Sequence, residues 1–253
     1  MRISGCLIVV IALTAPAALA ADGVTARTLL DQAIRAHGGE AELEKYPAVT
    51  VKTEGIFQGH ERTPVFFHTC EATTHGADQY RVSLSGKLQK QAFQIINVLD
   101  GDRGWIKQGD KTIADTSLCT PVQLADFREQ GYLNWITTLV PLKSSDFTLT
   151  LAGEQTRHAA TLVGIRVSRE GHRDVTLFFD KVTHLLVKID ERGTAGTGVD
   201  GHVETIRGKY QRVKGLHLPS SWEVFYNGKC LWSHHVTEYG LAEKPAPGTF
   251  DEP

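Results

Sequence analysis

Histidine and cysteine side chains in two short stretches are the first candidates for metal chemistry. His68 and Cys70 are two residues apart, so on a strand they share one face. Cys230 and His234 are four residues apart, which is about 13 Å along a strand, whereas zinc holds each ligand atom within about 2.3 Å. These two residues therefore cannot bind one ion without a sharp bend in the strand. The neighbours His234 and His235 point to opposite faces of a strand. His68 and Cys70 are the better pair, but two ligands do not define a site, and we expect no metal and no cofactor.

The motifs of common hydrolases do not occur in the sequence. Ser85, in SLSGK, lacks the first glycine of a GxSxG elbow, and the residues after His60-Glu61 do not complete HExxH. His202 and Glu204 form HxE, but no PCxxC follows. We therefore predict no catalytic residue. A hydrolase of another type stays open, should His68, His234 or His235 share a cleft with a carboxylate.

The N-terminal segment predicts export. MRISGCLIVVIALTAPAALA combines one arginine, an apolar run and the small residues Ala18 and Ala20, which is the order of a signal peptide cleaved after Ala20. An N-terminal membrane helix is the weaker alternative, because the apolar run is too short to span a bilayer. We expect a periplasmic or secreted protein without a stable membrane span.

The charge balance excludes some partners. The formal net charge of the 253 residues is −2, and it becomes −3 when Arg2 leaves with the signal peptide. This balance argues against nucleic acid or an anionic membrane surface as the main partner. Three cysteines remain, and an oxidising compartment would allow one pair among Cys70, Cys119 and Cys230. The sequence does not choose that pair, and three buried thiols fit equally well.

Helical periodicity appears in two parts of the chain. TARTLLDQAIRAHGG predicts a helix that ends at Gly38-Gly39, and EAELEKY predicts a short continuation. A second helix begins at TPVQ, where Thr120 can cap, Pro121 suits the first turn and Gln123 completes a capping box. It runs to about residue 140, with Gly131 as a point where it could bend.

The rest of the chain predicts strands and turns. VTLFFDKVTHLLVKID, residues 175 to 190, predicts two strands with apolar residues on both faces of each arm, and Asn227-Gly228 is the strongest hairpin signal. Short connections favour antiparallel neighbours, and the helices that an α/β fold needs between strands are missing. We predict one α+β, mainly β, domain over residues 21–253, a curved antiparallel sheet covered by helices, with a loose tail from about residue 244.

Three segments resemble a known family. LLDQAIRAHGGEAELEKYPAVTVKTEG resembles the opening helix and first strand of the Lol-pathway lipoprotein carriers and their outer-membrane lipoprotein-sorting relatives. LFFDKVTHLLVKID is similar to the strand-turn-strand of that family, and YQRVKGLHLPSSWEVFYNGKCLWSHHVTEYG is similar to its late hairpin. The resemblance implies a LolA/LolB-like half-barrel with an apolar cavity under its helices. It also implies a non-enzymatic carrier of lipids or acylated lipoproteins.

The resemblance further implies which residues contact the ligand. One strand parity would face the cavity, and the sequence does not decide which; we assign the parity that is richer in apolar residues. Ordinary core packing fits each of these residues taken singly. The predicted lining residues are Val65, Phe67, Phe127, Trp135, Leu177, Phe179, Leu185, Val187, Trp222 and Val224.

Two partner classes follow from this interpretation. The first is a hydrophobic ligand, namely an acyl chain, a lipid or a lipoprotein, and envelope proteins are further possible partners. The alternative is an envelope protein-interaction module whose interior is filled by its own side chains. A packed interior without a cavity would favour that alternative.

Overall fold

The computed structural model describes residues 25–61, 63–109 and 114–253, so the predicted signal peptide lies outside the described residues. The helices are α1 (Ala26–Ala36), α2 (Glu40–Lys45) and α3 (Pro121–Ile136), with a short 3-10 turn at Val140–Lys143. The strands are β1 (Ala48–Phe57), β2 (Phe66–His75), β3 (Gln79–Leu88), β4 (Gln91–Asp100), β5 (Arg103–Gly109), β6 (Ala114–Leu118), β7 (Thr148–Arg157), β8 (Ala160–Ser168), β9 (Val175–Asp180), β10 (Leu186–Gly193), β11 (Gly201–Arg207), β12 (Tyr210–Val213), β13 (Leu216–Pro219), β14 (Ser221–Tyr226) and β15 (Lys229–Ala242).

Thirteen of these strands form one antiparallel sheet. Its order is β6-β5-β4-β3-β2-β1-β15-β14-β11-β10-β9-β8-β7, and β12 and β13 form a separate hairpin. Every neighbouring pair in the described residues is antiparallel. The end strands β6 and β7 each have one partner, so the sheet is an open half-barrel. The predicted α+β, mainly β, class is confirmed.

Both predicted helices have capped N-termini, and α3 begins at the predicted capping residue Thr120. The Thr28 amide donates to Thr25 Oγ1 at the start of α1, over 3.1 Å. At the start of α3, the Gln123 amide donates to Thr120 Oγ1 and the Thr120 amide donates to Gln123 Oε1, which is a capping box. Helix α3 continues through Gly131 without a break. A Cβ there would lie 2.4 Å from the Ala77 carbonyl oxygen, so this glycine allows the helix to lie close to the turn between β2 and β3.

The predicted turns are also present. Asn227 and Gly228 connect β14 to β15 with φ values of 48° and 79°, the left-handed backbone that this tight hairpin requires. Between β9 and β10, the backbone amides of Val182 and Thr183 donate to Asp180 Oδ1. The paired arms predicted over residues 175 to 190 are therefore confirmed.

One face of the sheet carries the helices and the main hydrophobic core. Apolar residues of α1 and α3 pack there against β8, β9 and β10, and we call this face the inner face. The centre of this core is fully buried and includes Ile165, Leu177, Phe179, Leu186 and Ile136. A second apolar cluster, with Phe57 and Phe66, lies among the middle strands.

The opposite face, which we call the outer face, is partly covered by the end of the chain. Phe250 is buried against Ile96, Val98 and Trp105. The tail that the sequence predicts to be loose therefore has a fixed point in the structure. None of the helices in the described ranges is long and apolar enough to cross a bilayer.

Candidate ligand-binding groove

A groove of about 1080 Å³ crosses the middle of the sheet. Its lining comes from β4, β3, β2, β1, β15, β14 and β11, which are consecutive in the sheet. Seven strands have six gaps of about 4.8 Å, so the groove is roughly 29 Å long. This length and volume match a long, narrow ligand better than a compact one.

The strand register shows that the groove lies on the outer face. Tyr80 of β3 packs against Phe127 of α3, with ring centres 5.5 Å apart, so Tyr80 points to the inner face. Gly86 is six residues along the same strand and has the same orientation. Its neighbours Ser85 and Lys87 therefore point outward, and both line the groove.

The outward side chains form two rows with different chemistry. The first row is mostly apolar, and we call it the apolar row; across the paired strands it runs Ala92, Lys87, Phe67, Ile56, Ser233, Glu223 and Ile206. The second row is polar throughout, and we call it the polar row; it runs Gln94, Ser85, Thr69, Glu54, His235 and Ser221. The groove is therefore amphipathic across its width.

Two large apolar side chains in the groove are open to solvent. Phe67 is 74% exposed and Val65 is 59% exposed, and both line the groove beside Ile56. Phe67 pairs with Ile56 across β1 and β2. A contiguous exposed apolar surface rimmed by polar groups is typical of a binding site.

A third row lies between these two and points inward. It runs Phe93, Gly86, His68, Gly55, His234 and Trp222, and it contributes the floor of the groove. His68 and His234 meet over Gly55, with ring centres 4.8 Å apart. A Cβ on Gly55 would lie 1.8 Å from the Ser233 carbonyl oxygen and 3.0 Å from His68 Nε2. Glycine is thus required for this histidine pair.

Both histidines are held in the neutral form. Burial, and to a smaller extent the nearby His68, lowers the pKa of His234 to about 3. Burial also lowers the pKa of His68. Trp222 stacks on His234 with ring centres 5.1 Å apart, and Trp232 contacts His68 at 5.4 Å. The pair therefore lies in an aromatic, weakly polar environment without a carboxylate in its row.

A separate polar cluster lies on the outer face beside the groove. Asp190, His202 and Glu204 bring ligand-type atoms within 4.8 Å of one another. The Lys188 ammonium group already lies between the carboxylates, 3.1 Å from Asp190 and 2.6 Å from Glu204. Burial lowers the pKa of Lys188, but the hydrogen bonds that its ammonium group donates to Glu204 and Asp190 outweigh burial, and the net pKa is raised. The cluster is a salt-bridge network that already contains its own cation.

The structure brings three of the ten predicted lining residues to the groove. These are Val65 and Phe67 on the outer face and Trp222 in the inward row. Leu185 and Val187 are half-buried near the turn between β9 and β10.

The other five pack inside the protein. Leu177 and Phe179 are completely buried beneath the helices, where the half-buried Trp135 also packs. Phe127 contacts Tyr80, and Val224 packs in the second apolar cluster. Ligand contact by the ten residues therefore stays a prediction.

Sequence reasoning missed the polar row and all of the apolar row except Phe67. Ile56, Ala92 and Ile206 belong to three strands that are distant in sequence, and only the register of β1, β4 and β11 places them on one surface. The sequence contains one signal for Ile56. It shares a face of β1 with the charged residue Glu54 and therefore points away from the neighbouring Phe57.

No family model and no curated protein sequence matches the chain. Solved structures do match. A domain assigned to outer membrane lipoprotein sorting from Vibrio parahaemolyticus has a TM-score of 0.56 at 8% identity, covering 89% of this chain and 97% of that one. A LolA superfamily protein from Nitrosomonas europaea has a TM-score of 0.53 at 10% identity, covering 88% and 96%. A DUF1329 family protein from Desulfovibrio piger has a TM-score of 0.58 at 8% identity, covering 89% and 97%.

Proposed function

We propose that this chain, which has the LolA-like half-barrel fold, is an exported, non-enzymatic protein that binds a hydrophobic ligand in its outer-face groove. The ligand class is an acyl chain, carried by a lipid or by a lipoprotein. The observation that supports this most directly is the exposed pair Phe67 and Val65 in the lining of a long groove. Two of the similar structures belong to a lipoprotein-sorting domain and to the LolA superfamily.

The energetics of an acyl chain fit an open groove. Each buried methylene contributes about 0.8 kcal/mol, so complete burial of fifteen would contribute about 12 kcal/mol. The groove covers the chain from one side, so binding recovers only part of this amount. A bilayer buries the same chain completely. Such a carrier would give up its ligand to a membrane without chemistry or nucleotide hydrolysis.

The two rows of the groove supply different parts of the recognition. Ile56, Phe67 and Ile206 offer apolar contact along one side. Thr69 and Glu54, across the groove, offer hydrogen-bonding groups to the polar part of the same ligand. An acyl chain attached to a polar backbone or headgroup satisfies both sides.

Native mass spectrometry of protein purified from a cell envelope tests the proposal. We expect co-purified lipid, and uptake of a fluorescent fatty acid after lipid removal. Phe67→Asp should abolish uptake because it replaces the exposed aromatic side chain beside Ile56 and Val65 with a charge. Val182→Asp is the matched control, since Val182 is 85% exposed and is not among the residues that line the groove. A lipid-free mass together with no uptake would contradict the proposal.

A protein-interaction module is the second candidate, and one observation favours it. The inner face beneath α1 and α3 is filled by the chain's own side chains, with Leu177 and Phe179 completely buried. On this alternative the groove takes a polypeptide segment instead of an acyl chain. A lipid-free protein that binds no fatty acid would support the alternative over the first proposal.

A further inference from the structure

The charged side chains of the outer-face groove are separated along its length. Lys87 lies on β3, whereas Glu54 lies on β1 and Glu223 lies on β14. In the strand order β3-β2-β1-β15-β14, the lysine is two strands from the first carboxylate and four from the second, about 10 and 19 Å across the sheet. None of the salt bridges between described residues includes any of these three side chains.

Lys87 lies beside two neutral side chains that form hydrogen bonds. Ser85 is two residues away on the same outward face of β3, and Gln94 pairs with Ser85 across β3 and β4. The Gln94 amide nitrogen donates to the Ser83 hydroxyl over 3.1 Å, which leaves its second N–H for another acceptor. An ammonium group, a hydroxyl and an amide are therefore gathered at this end of the groove.

The apolar part of the groove begins on the strand next to Lys87. Phe67 on β2 is 74% exposed, and Ile56 pairs with it across β1. Past β1 the same row continues with the polar residues Ser233 and Glu223. A ligand with its polar head at Lys87 therefore places its chain directly on Phe67. A head at Glu223 would be separated from the apolar side chains by Ser233.

We propose that the ligand of this groove is an anionic amphiphile, with its charged head at Lys87 and its acyl chain extended across Phe67 toward Ile56. This inference rests on the proposed acyl-chain function and adds the charge and the direction of the ligand. The head carries one negative charge on acceptor oxygens, as in the carboxylate of a fatty acid or the phosphate of a lysophospholipid. Ser85 and Gln94 donate to those oxygens beside the ammonium group.

Electrostatics favours this direction over the reverse one. At physiological salt, charges in water are screened over about 8 Å. An anionic head at Lys87 contacts the ammonium group and lies more than one screening length from Glu54, whereas a head at the other end would lie beside a carboxylate. His235 does not change this comparison, because it pairs with Glu54 across β1 and β15. An exposed ion pair is weak, so we expect it to decide direction and head-group preference while the chain supplies most of the affinity.

Displacement of a bound fluorescent fatty acid by unlabelled competitors tests the charge of the ligand. Palmitate and palmitoyl-lysophosphatidylglycerol share the negative charge, and both should compete. Hexadecanol and hexadecylamine have a chain of the same length and should compete at least about fivefold less well. Stronger competition by palmitate assigns the head as a carboxylate, and stronger competition by the lysophospholipid assigns it as a phosphate. Equal competition by all four, or stronger competition by the amine, would overturn the proposal.

Removal of one positive charge tests the role of Lys87. Lys87→Gln should weaken palmitate binding about fivefold and should remove the preference for palmitate over hexadecanol. Lys229→Gln is the matched control, since Lys229 is also exposed and is not among the residues that line the groove. Unchanged palmitate binding in Lys87→Gln would overturn the proposed direction and leave the acyl-chain function intact. No palmitate binding by the wild type would contradict the acyl-chain function itself.

Crosslinking of the wild type tests the direction without any variant. A palmitate with a diazirine next to its carboxylate should label the β3 peptide that contains Ser85 and Lys87. A palmitate with the diazirine at its chain end should label the β1 peptide that contains Ile56, or strands farther toward Ile206 on β11. The reversed pattern of labelling would overturn the proposal.

Discussion

The side chain of His37 joins the end of α1 to the first residue of β10, Leu186. The His37 Nδ1–H donates to the Ala33 carbonyl over 2.8 Å, and the Leu186 amide donates to His37 Nε2 over 3.4 Å. The bond from Leu186 requires a neutral ring, because a protonated Nε2 cannot accept a hydrogen bond. Burial lowers the pKa of His37 to about 4, and the hydrogen bond to Ala33 offsets only part of that effect.

The His37 pKa predicts a loss of stability in acid. The folded-state pKa lies below the ordinary value of 6.5, so the unfolded chain takes up the proton first. The stabilisation that neutral His37 contributes to the free energy of unfolding is complete above pH 6.5 and is lost as the pH falls toward 4. The loss is at most about 3 kcal/mol. His37→Gln should flatten the pH dependence, as measured by urea unfolding between pH 7.5 and 4. An unchanged pH slope in the variant would contradict the assignment.

The pKa of Glu191 predicts the opposite pH dependence of stability. Burial, supported by the nearby carboxylates of Glu129 and Asp190, raises the pKa of its carboxyl to about 7 against the opposing charge of Arg173. Because the folded chain holds this proton more tightly, stability is lost as the pH rises from 4.5 to 7, by at most about 3 kcal/mol. Glu191→Gln should match the wild type at pH 4 and exceed it at pH 8. Glu170→Gln, on the exposed surface, should follow the wild type throughout.

The two groups of predicted lining residues should respond differently to truncation. Leu177→Ala empties a fully buried position in the main core, so we expect a loss of about 2–5 kcal/mol in the free energy of unfolding. Phe67→Ala removes an exposed side chain and should change that energy by less than about 0.5 kcal/mol. Chemical denaturation measures both. A large loss in Phe67→Ala would show that Phe67 is structural and not free for a ligand.

Gly55→Ala tests the close approach beneath the groove. The added methyl group would lie 1.8 Å from the Ser233 carbonyl oxygen, so β15 would have to move, at a cost of about 1–3 kcal/mol or more. Gly240→Ala is the matched control on the neighbouring strand, since its nearest contact would be an ordinary 3.4 Å. Equal melting temperatures for the two variants would contradict the geometry around the histidine pair.

The sequence predicts the fold better than the candidate site because the two depend on different ranges of the chain. Thr120 and Gln123 identify the start of α3, and Asn227-Gly228 identify a hairpin, through contacts within a few residues. The groove depends on pairings such as Ile56 with Ser233, whose register is set by the whole sheet. In the segment around residue 178, apolar residues lie on both faces of the strand, so the sequence did not show which face the helices cover. Without the register and the covered face, sequence reasoning could not place Ile56, Ile206 and the polar row on one surface.

Photo-crosslinking with a diazirine fatty acid, followed by peptide mass spectrometry, tests the central claim most directly. Ligand bound in the outer-face groove should label the peptides that contain Val65, Phe67 and Ile56, and Phe67→Asp should remove that labelling. Labelling of the β9 peptide that contains Leu177 and Phe179 would instead place the ligand beneath the helices. That result, or no labelling at all, would contradict a hydrophobic-ligand site in the groove.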